Sequence, residues 1–202
     1  LKFDQKGNIK DDFIIKGFIK DGEVKPLKKI NLSKINLIFN LQNNKFEFKD
    51  INLSYDNNDL NFPELNIKKQ KNKFLVSGKN NSKNLVLDNK KINQLLNIDF
   101  SNLKIKSAEF DLSNTFSFKI DNKYKIDDFK IDSLMNLKNS KVVSSKNLKE
   151  FFPELNDIIE LSDHQIEIEY KENFLSIIGN GNILIQKEKD SIKYNFSKSK
   201  KN

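Results

Sequence analysis

The chain has 202 residues, which is enough for one or two domains with a sizeable core. It has 17 phenylalanines but no cysteine, which excludes a disulfide scaffold and thiolate metal sites, and its single alanine, Ala108, disfavours a helical domain. The net charge is +8, but all 36 basic residues are lysines, and without the bidentate fork of arginine a nucleic-acid partner is disfavoured.

The first 28 residues predict three short strands. Residues 1–3 form the first, and residues 13–20 form the second. Asp21-Gly22 is a strong signal for a two-residue hairpin, so residues 23–25 are expected to return beside the second strand. Pro26 cannot donate to a strand ladder, which predicts an edge strand or a strand end at that point.

The clearest pattern lies between residues 35 and 78. Apolar residues fall on every second position over short runs, with Lys, Asn, Asp, Glu or Ser mostly between them. Such alternation gives a strand one apolar and one polar face. The polar breaks at 43–44, 56–59 and 69–72 suit hairpins and are too short for parallel crossovers. The pattern therefore predicts an antiparallel meander.

Strands and two short helices are expected in the rest of the chain. Ile92, Leu95 and Leu96 have the spacing of an amphipathic helix over 88–96, and a second helix is expected at 147–152, stopped by Pro153. Residues 133–163 have the weakest strand pattern, and a turn is expected at 113–114. Strands are expected at 85–87, 98–100, 103–105, 108–112, 116–120, 124–126, 129–131, 165–170, 174–179, 182–186 and 191–196.

The chain also carries a weak internal repeat. Phe62-Pro63-Glu64-Leu65-Asn66 recurs as Phe152-Pro153-Glu154-Leu155-Asn156. We therefore interpret residues 1–202 as a single repetitive β-region with sub-repeats 1–97 and 98–197. Chance matching within a biased composition is the alternative. Because the chain begins at Leu1 in strand-like alternation, we expect it to be a piece of a longer protein.

No motif in the chain indicates catalysis or metal binding. The only histidine, His164, has no cysteine to share a zinc site and no Gly-x-Ser-x-Gly elbow to serve, so we interpret it as a turn residue. Asp56-Asn57-Asn58-Asp59 lacks the glycine and the bidentate glutamate of a calcium loop and is interpreted as a turn. Gly179-Asn180-Gly181 precedes a strand and not a helix, so it carries no phosphate-binding signal. The sequence predicts a protein that is not an enzyme and binds no metal or cofactor.

The apolar face of such a sheet needs a cover. A second sheet would make a β-sandwich with a closed core, which would suit a structural or adhesive domain without a lipid ligand. A curved trough would instead cover the face with an apolar ligand such as an acyl chain. The residues expected to line such a groove are Phe39, Phe46, Phe48, Leu53, Phe62, Ile67, Phe74, Val76, Phe116, Phe118, Ile166 and Ile168.

Three segments carry a resemblance to a known family: Gly17 to Pro26 with its Asp-Gly step, Ile51 to Tyr55 followed by Leu60 to Phe62, and Gly179 to Ile185. Their pattern resembles the repeat region of the AsmA-like family, which includes TamB and YhdP. The resemblance implies an elongated, twisted antiparallel sheet curled into an open hydrophobic groove. It also implies passage of phospholipid acyl chains between the inner and outer membranes of a bacterial envelope. The implied location is the periplasm, with an inner-membrane anchor in segments outside this chain.

Overall fold

The computed structural model describes residues 5–7, 13–27, 30–88, 104–143, 157–171, 173–185 and 188–199. These residues form ten strands and no helix. The strands pair in sequence order in one open antiparallel meander, which confirms the predicted all-β class. They are β1 (Ile14–Leu27), β2 (Ile30–Gln42), β3 (Lys45–Tyr55), β4 (Asn58–Gln70), β5 (Lys73–Leu87), β6 (Lys104–Asp121), β7 (Ile126–Val143), β8 (Ile158–Lys171), β9 (Phe174–Ile185) and β10 (Glu188–Ser199).

The alternative of a β-sandwich is not what the described residues form, because all ten strands belong to one sheet. Among these strands β1 is an edge strand that ends at Leu27, as expected from Pro26. The helices expected at 88–96 and 147–152 lie outside the described residues, apart from Asp88. The division into sub-repeats stays a prediction.

Short hairpins join several neighbouring strands of the meander, among them β3 and β4. Tyr55 pairs with Asn58 across the two-residue loop between β3 and β4. Both loop residues have positive φ, 48° at Asp56 and 64° at Asn57, as a type I′ turn requires. Asparagine and aspartate tolerate this left-handed conformation better than most side chains. The turn predicted at 56–59 is thus confirmed.

Several strands contain a left-handed residue without reversing direction. At Asp50 the φ angle is 52°, and the apolar positions of β3 change there from Phe46 and Phe48 to Ile51 and Leu53. One residue with positive φ acts like a bulge and shifts the in–out alternation by one position. Within the described strands these positions are Asp21 in β1, Lys34 in β2, Asp50 in β3, Asn84 in β5, Asp128 in β7 and Asp163 in β8.

Asparagine side chains support the bends in β2 and β3. The Asn36 amide donates to the carbonyl oxygen of Lys34 at 2.8 Å, and the Asn52 amide donates to that of Asp50 at 3.1 Å. The Asn61 amide in β4 donates to Asn52 Oδ1 at 2.8 Å, and the Asn61 backbone N–H donates to Ser82 Oγ in β5 at 3.0 Å. Three of these bonds satisfy a backbone group near a bend, and the fourth joins two asparagine side chains across β3 and β4.

The hairpin predicted at Asp21-Gly22 is wrong. β1 continues through both residues, and Gly22 pairs with Ile35 of β2. The backbone N–H of Asp21 donates to Asn36 Oδ1 at 3.2 Å, so the left-handed residue bends the strand without reversing it.

Other predicted breaks are also absent. The turn expected at 113–114 lies inside β6, residues 133–143 belong to β7, and the strands expected at 174–179 and 182–186 are one strand, β9. Ser140 in β7, for example, is buried, and its Oγ donates to the carbonyl oxygen of Ser107 in β6 at 3.1 Å. Small polar side chains are therefore accommodated inside the strands.

The chain divides into two compact units. Unit 1 consists of Leu1–Ser82, Ser113–Asp132 and Tyr170–Asn173. Unit 2 consists of Lys83–Leu112, Ser133–Glu169 and Phe174–Asn202.

Candidate functional site

One face of unit 1 carries two apolar rows that run across β1 to β5. Directly paired residues of antiparallel neighbours share a face, so the register identifies each row. We call the two rows together the aromatic face. The first row is Gly17, Phe39, Phe48, Leu65 and Gly78, and the second is Ile15, Leu41, Phe46, Ile67 and Val76.

Glycines end the first row because aromatic rings occupy the space of their side chains. A Cβ at Gly78 would lie 2.8 Å from Cζ of Phe116 in β6 and 2.9 Å from the carbonyl oxygen of Glu64. A Cβ at Gly17 would lie 2.5 Å from Cζ of Phe39. Both distances are shorter than van der Waals contact, so the absence of a side chain lets the Phe39 and Phe116 rings lie against the backbone.

A chain of ring contacts runs through β6, β7 and β8 in the same unit. The ring centroids of Phe116 and Phe118 are 6.4 Å apart, and Phe118 lies 6.4 Å from Phe129. Phe129 lies 5.9 Å from Tyr170. Such distances are typical of attractive aromatic pairs, which hold the rings in fixed relative positions.

The aromatic face continues past the bend in β3. Ile51 pairs with Phe62, and Leu53 pairs with Leu60. Ile51 is 6% exposed, whereas the neighbouring Asn52 is exposed. The apolar side thus extends beyond the one-residue shift at Asp50.

The opposite face of unit 1 is mainly polar. Lys16, Asn40 and Glu47 pair across β1 to β3. Glu47 accepts from Lys45 at 2.6 Å and from the Asn40 amide at 2.9 Å. The Lys45 hydrogen bond, helped by Asn40 and nearby positive charge, lowers the pKa of the Glu47 carboxyl. Phe18 is an exception on this face, because it pairs with Ile38 and is 75% exposed.

The phenylalanines of the aromatic face are only partly covered. Phe39, Phe46 and Phe48 have intermediate exposure, and so do Phe116 and Phe118. A closed core would bury rings at such central positions almost completely. The face therefore keeps apolar area available for contact.

The structure brings most of the predicted lining residues together. Ten of the twelve lie in unit 1, where Phe74 shares the face through its pairing with Lys69; the other two, Ile166 and Ile168, lie on β8 in unit 2 with intermediate exposure. The role of the twelve as lining stays a prediction. Sequence reasoning missed Gly17, Gly78 and Tyr170, although a glycine at an apolar position of a strand is a readable signal of close ring contact.

His164 is not a turn residue as expected. It lies inside β8 and is 2% exposed, with Nδ1 3.1 Å from the carbonyl oxygen of Ser162. Since a carbonyl oxygen only accepts, Nδ1 carries the proton in this contact. The ring packs against Gly181, and its centroid lies 6.2 Å from that of Tyr194. The neighbouring glycine makes room for the imidazole, so the residue is part of the interior of unit 2.

No group of three or more His, Asp or Glu side chains in the described residues has the geometry to hold a metal ion. The same part of the chain contains no helix with the length and hydropathy of a membrane span.

No protein-family model, curated protein or solved structure matches the chain. The fold and the site define a single-sheet β-meander whose unit 1 has one aromatic and one charged face. The resemblance to AsmA-like proteins stays a prediction.

Proposed function

We propose that the chain is a non-enzymatic lipid-binding groove that holds phospholipid acyl chains on the aromatic face of unit 1 and conducts them between the two membranes of a bacterial envelope. The observation that carries the proposal is the partial exposure of the aromatic rings in rows that cross five strands of an open sheet. An apolar surface of this extent calls for an apolar partner.

The dimensions of the rows suit an acyl chain. Neighbouring strands lie about 4.8 Å apart, so a row across five strands spans about 19 Å. One leaflet of a bilayer has a hydrocarbon thickness of about 15 Å, which approximates the length of its acyl chains. Each CH₂ group that is buried on the face contributes about 0.8 kcal/mol. A row is therefore long enough to bury most of one chain.

The two faces of the sheet differ in polarity, so acyl chains would bind to one face and water would contact the other. The ion pairs of the opposite face of unit 1, such as that of Lys79 with Glu64 at 3.1 Å, favour contact with water. The aromatic face carries no ion pair at its central positions and favours hydrocarbon. Acyl chains would lie against the rings without any chemical step.

The proposed location is the periplasm, with an inner-membrane anchor elsewhere in the full-length protein. This part of the proposal is supported by the resemblance to AsmA-like repeats and by the lysine-rich surface, which suits anionic headgroups. The proposed ligand is a phospholipid or another acyl lipid.

The test uses an acyl probe whose fluorescence rises in apolar surroundings. Phe48→Asp places a carboxylate in the first row and is expected to reduce probe affinity at least tenfold, because a charge next to a bound chain is costly. Phe18→Asp introduces the same charge on the opposite face, where Phe18 is 75% exposed, and is expected to leave binding unchanged. Circular dichroism checks that both variants keep their strand content.

A closed, structural β-domain gives different results. In that case the wild-type chain would bind no probe and would release no lipid to mass spectrometry after purification without detergent. Phe48→Asp would then unfold the domain, since the carboxylate would be buried in a sealed core.

A further inference from the structure

We propose that the end of unit 1 that carries the loops β2–β3, β4–β5, β6–β7 and β8–β9 docks on an anionic lipid bilayer, with Tyr124 inserted among the headgroups. We call this end the hairpin end. In a meander every second loop lies at the same end of the sheet, and these four loops all belong to unit 1. The proposal goes beyond the acyl-binding face and does not depend on it.

An exposed aromatic residue marks the β6–β7 loop. Tyr124 is 84% exposed, the largest exposed fraction of any large apolar side chain in the described residues. It lies between Lys123 and Lys125, and Ile126, two residues further on, is 55% exposed. Tyrosine prefers the interface between water and hydrocarbon, because its ring is apolar and its hydroxyl is polar.

The loop holds Tyr124 in a fixed, outward position. Asp121 Oδ1 accepts from the backbone N–H of Lys123 at 2.8 Å and of Lys125 at 2.9 Å. The Tyr124 N–H donates to the carbonyl oxygen of Asp121 at 3.0 Å, and Tyr124 has a φ of 61°. A bulky residue in this left-handed conformation is uncommon and costs free energy. The hydrogen bonds of the loop offset this cost and keep the ring exposed to solvent.

Some lysines of the hairpin end form salt bridges with carboxylates, and others form none. Lys73 forms an ion pair with Asp127, and Lys119 contacts Asp128 at 2.8 Å, so the carboxylates of the early β7 strand are already neutralised. In the part of the chain that the structure describes, five exposed lysines of this end form no salt bridge. They are Lys68, Lys69, Lys71, Lys123 and Lys125.

The residues of the hairpin end favour an anionic bilayer over a nucleic acid as the partner. Lysines that form no salt bridge, beside an exposed tyrosine, match the charge of anionic headgroups and the polarity of the interface. Arginine, which suits phosphate and base recognition in nucleic acids, is absent from the chain. Because lysine attracts headgroups as a point charge, its contribution falls as salt screens it.

The chain has no tryptophan, so Tyr124→Trp creates a single fluorescent reporter. We expect its emission to shift to shorter wavelength with phosphatidylcholine vesicles that contain phosphatidylglycerol, and to remain unchanged with phosphatidylcholine alone. Phe18→Trp, at a site that is 75% exposed outside this end, is the matched reporter and is expected to remain unchanged with both vesicles.

Charge is tested separately by vesicle co-sedimentation. Each lysine near an anionic surface contributes about fivefold in affinity, so Lys123→Gln with Lys125→Gln is expected to weaken binding about 25-fold. Lys20→Gln with Lys34→Gln, at exposed positions of β1 and β2 farther from the hairpin end, removes the same charge and is expected to have a much smaller effect. Binding is expected to disappear at about 1 M salt, where the Debye length is about 3 Å.

Three results would overturn the proposal: no emission shift at position 124, an equal shift at position 18, or equal losses for the two lysine pairs. Tighter binding to duplex DNA than to the anionic vesicles, lost with the same two lysines, would overturn it as well. The outcome is separable from that of the acyl-binding proposal, since Phe48→Asp is expected to abolish probe binding and leave vesicle binding intact.

Discussion

The two units of the chain bury their apolar residues differently. Of the eight apolar side chains that are buried in the described residues, six belong to unit 2, namely Leu85, Ala108, Phe110, Leu137, Val142 and Ile159. Unit 1 contributes only Ile51 and Val76, although it holds most of the described phenylalanines. Among the described residues, unit 2 thus buries more apolar side chains than unit 1, whose rings stay partly exposed.

The difference shows that phenylalanine content is a poor guide to where the core lies. In unit 2, the buried side chains of the described residues are mainly aliphatic, together with Phe110, Ser140 and His164. In unit 1, the large rings lie on glycine backbone and on one another. A surface of rings supported in this way is ordered without being sealed, which is what a face for an apolar ligand requires.

The largest expected effect compares one phenylalanine from each unit. Phe110→Ala in unit 2 should lower the free energy of unfolding by about 3–5 kcal/mol, because the ring is 4% exposed and its removal leaves a cavity. Phe118→Ala in unit 1 should cost only about 1–2 kcal/mol, because the ring is already partly exposed. Urea unfolding of both variants measures the difference, and equal losses would contradict the contrast between the units.

A second comparison uses two glycines of β9 in unit 2. A Cβ at Gly181 would overlap the His164 ring and lie 2.6 Å from the His164 Cα, so Gly181→Ala should cost about 1–3 kcal/mol. The three atoms nearest to a Cβ at Gly179 would all belong to the Tyr194 side chain, which is 37% exposed and can turn away. Gly179→Ala should therefore cost less than about 1 kcal/mol by the same urea titration. A larger loss at Gly179 would mean that Tyr194, and not His164, is the fixed group.

In unit 1 the bends themselves can be tested. Asn52→Ala removes the amide group that donates to the Asp50 carbonyl oxygen and accepts from the Asn61 side chain. This substitution should lower the free energy of unfolding by about 1 kcal/mol. Asn31→Ala, at an exposed position of β2, is the control and should change stability by less than about 0.5 kcal/mol. If both variants have the same stability, the asparagine contacts do not stabilise the bend.

The smallest expected effect is on the stability of the chain at acidic pH. Asp111 accepts from the Asn84 backbone N–H at 2.8 Å and from Lys138 at 2.9 Å, and these bonds lower the pKa of its carboxyl, the backbone bond most. Its stabilisation is complete above the unfolded carboxyl pKa of about 3.9 and is lost as the pH falls through the lower folded value. Asp111→Asn should therefore reduce the decline of the urea midpoint below about pH 4.

Asp132→Asn, at an exposed position in unit 1, is the matched control for this effect. Its acid decline should match that of the wild-type chain. If Asp111→Asn also leaves the decline unchanged, the carboxylate does not contribute to the acid sensitivity of unit 2.

Much of the sheet could be predicted from the sequence, because alternation over 35–78 reports directly which side chains share a face. The change of spacing from Phe48 to Ile51 also records the bend at Asp50, since one extra residue separates the two apolar sets. The Asp-Gly pair at 21–22 was misread as a hairpin for a physical reason. The same dipeptide suits a tight turn or a left-handed residue inside a strand, and the choice depends on Asn36, fifteen residues away.

The burial of His164 could not be predicted for a similar reason. The space for its ring is created by Gly181 on the neighbouring strand, and no local pattern shows that the two residues meet. The half-exposed state of the phenylalanines also depends on the whole sheet, because the same alternation would equally suit a closed sandwich.

The most direct measurement places a single tryptophan on each face of unit 1 and adds a brominated fatty acid, which quenches tryptophan only at short range. We expect strong quenching of Phe48→Trp, in the middle of the aromatic face, and little quenching of Phe18→Trp on the opposite face. Equal quenching at both positions, or none at position 48, would contradict the claim that acyl chains lie on the rings of unit 1.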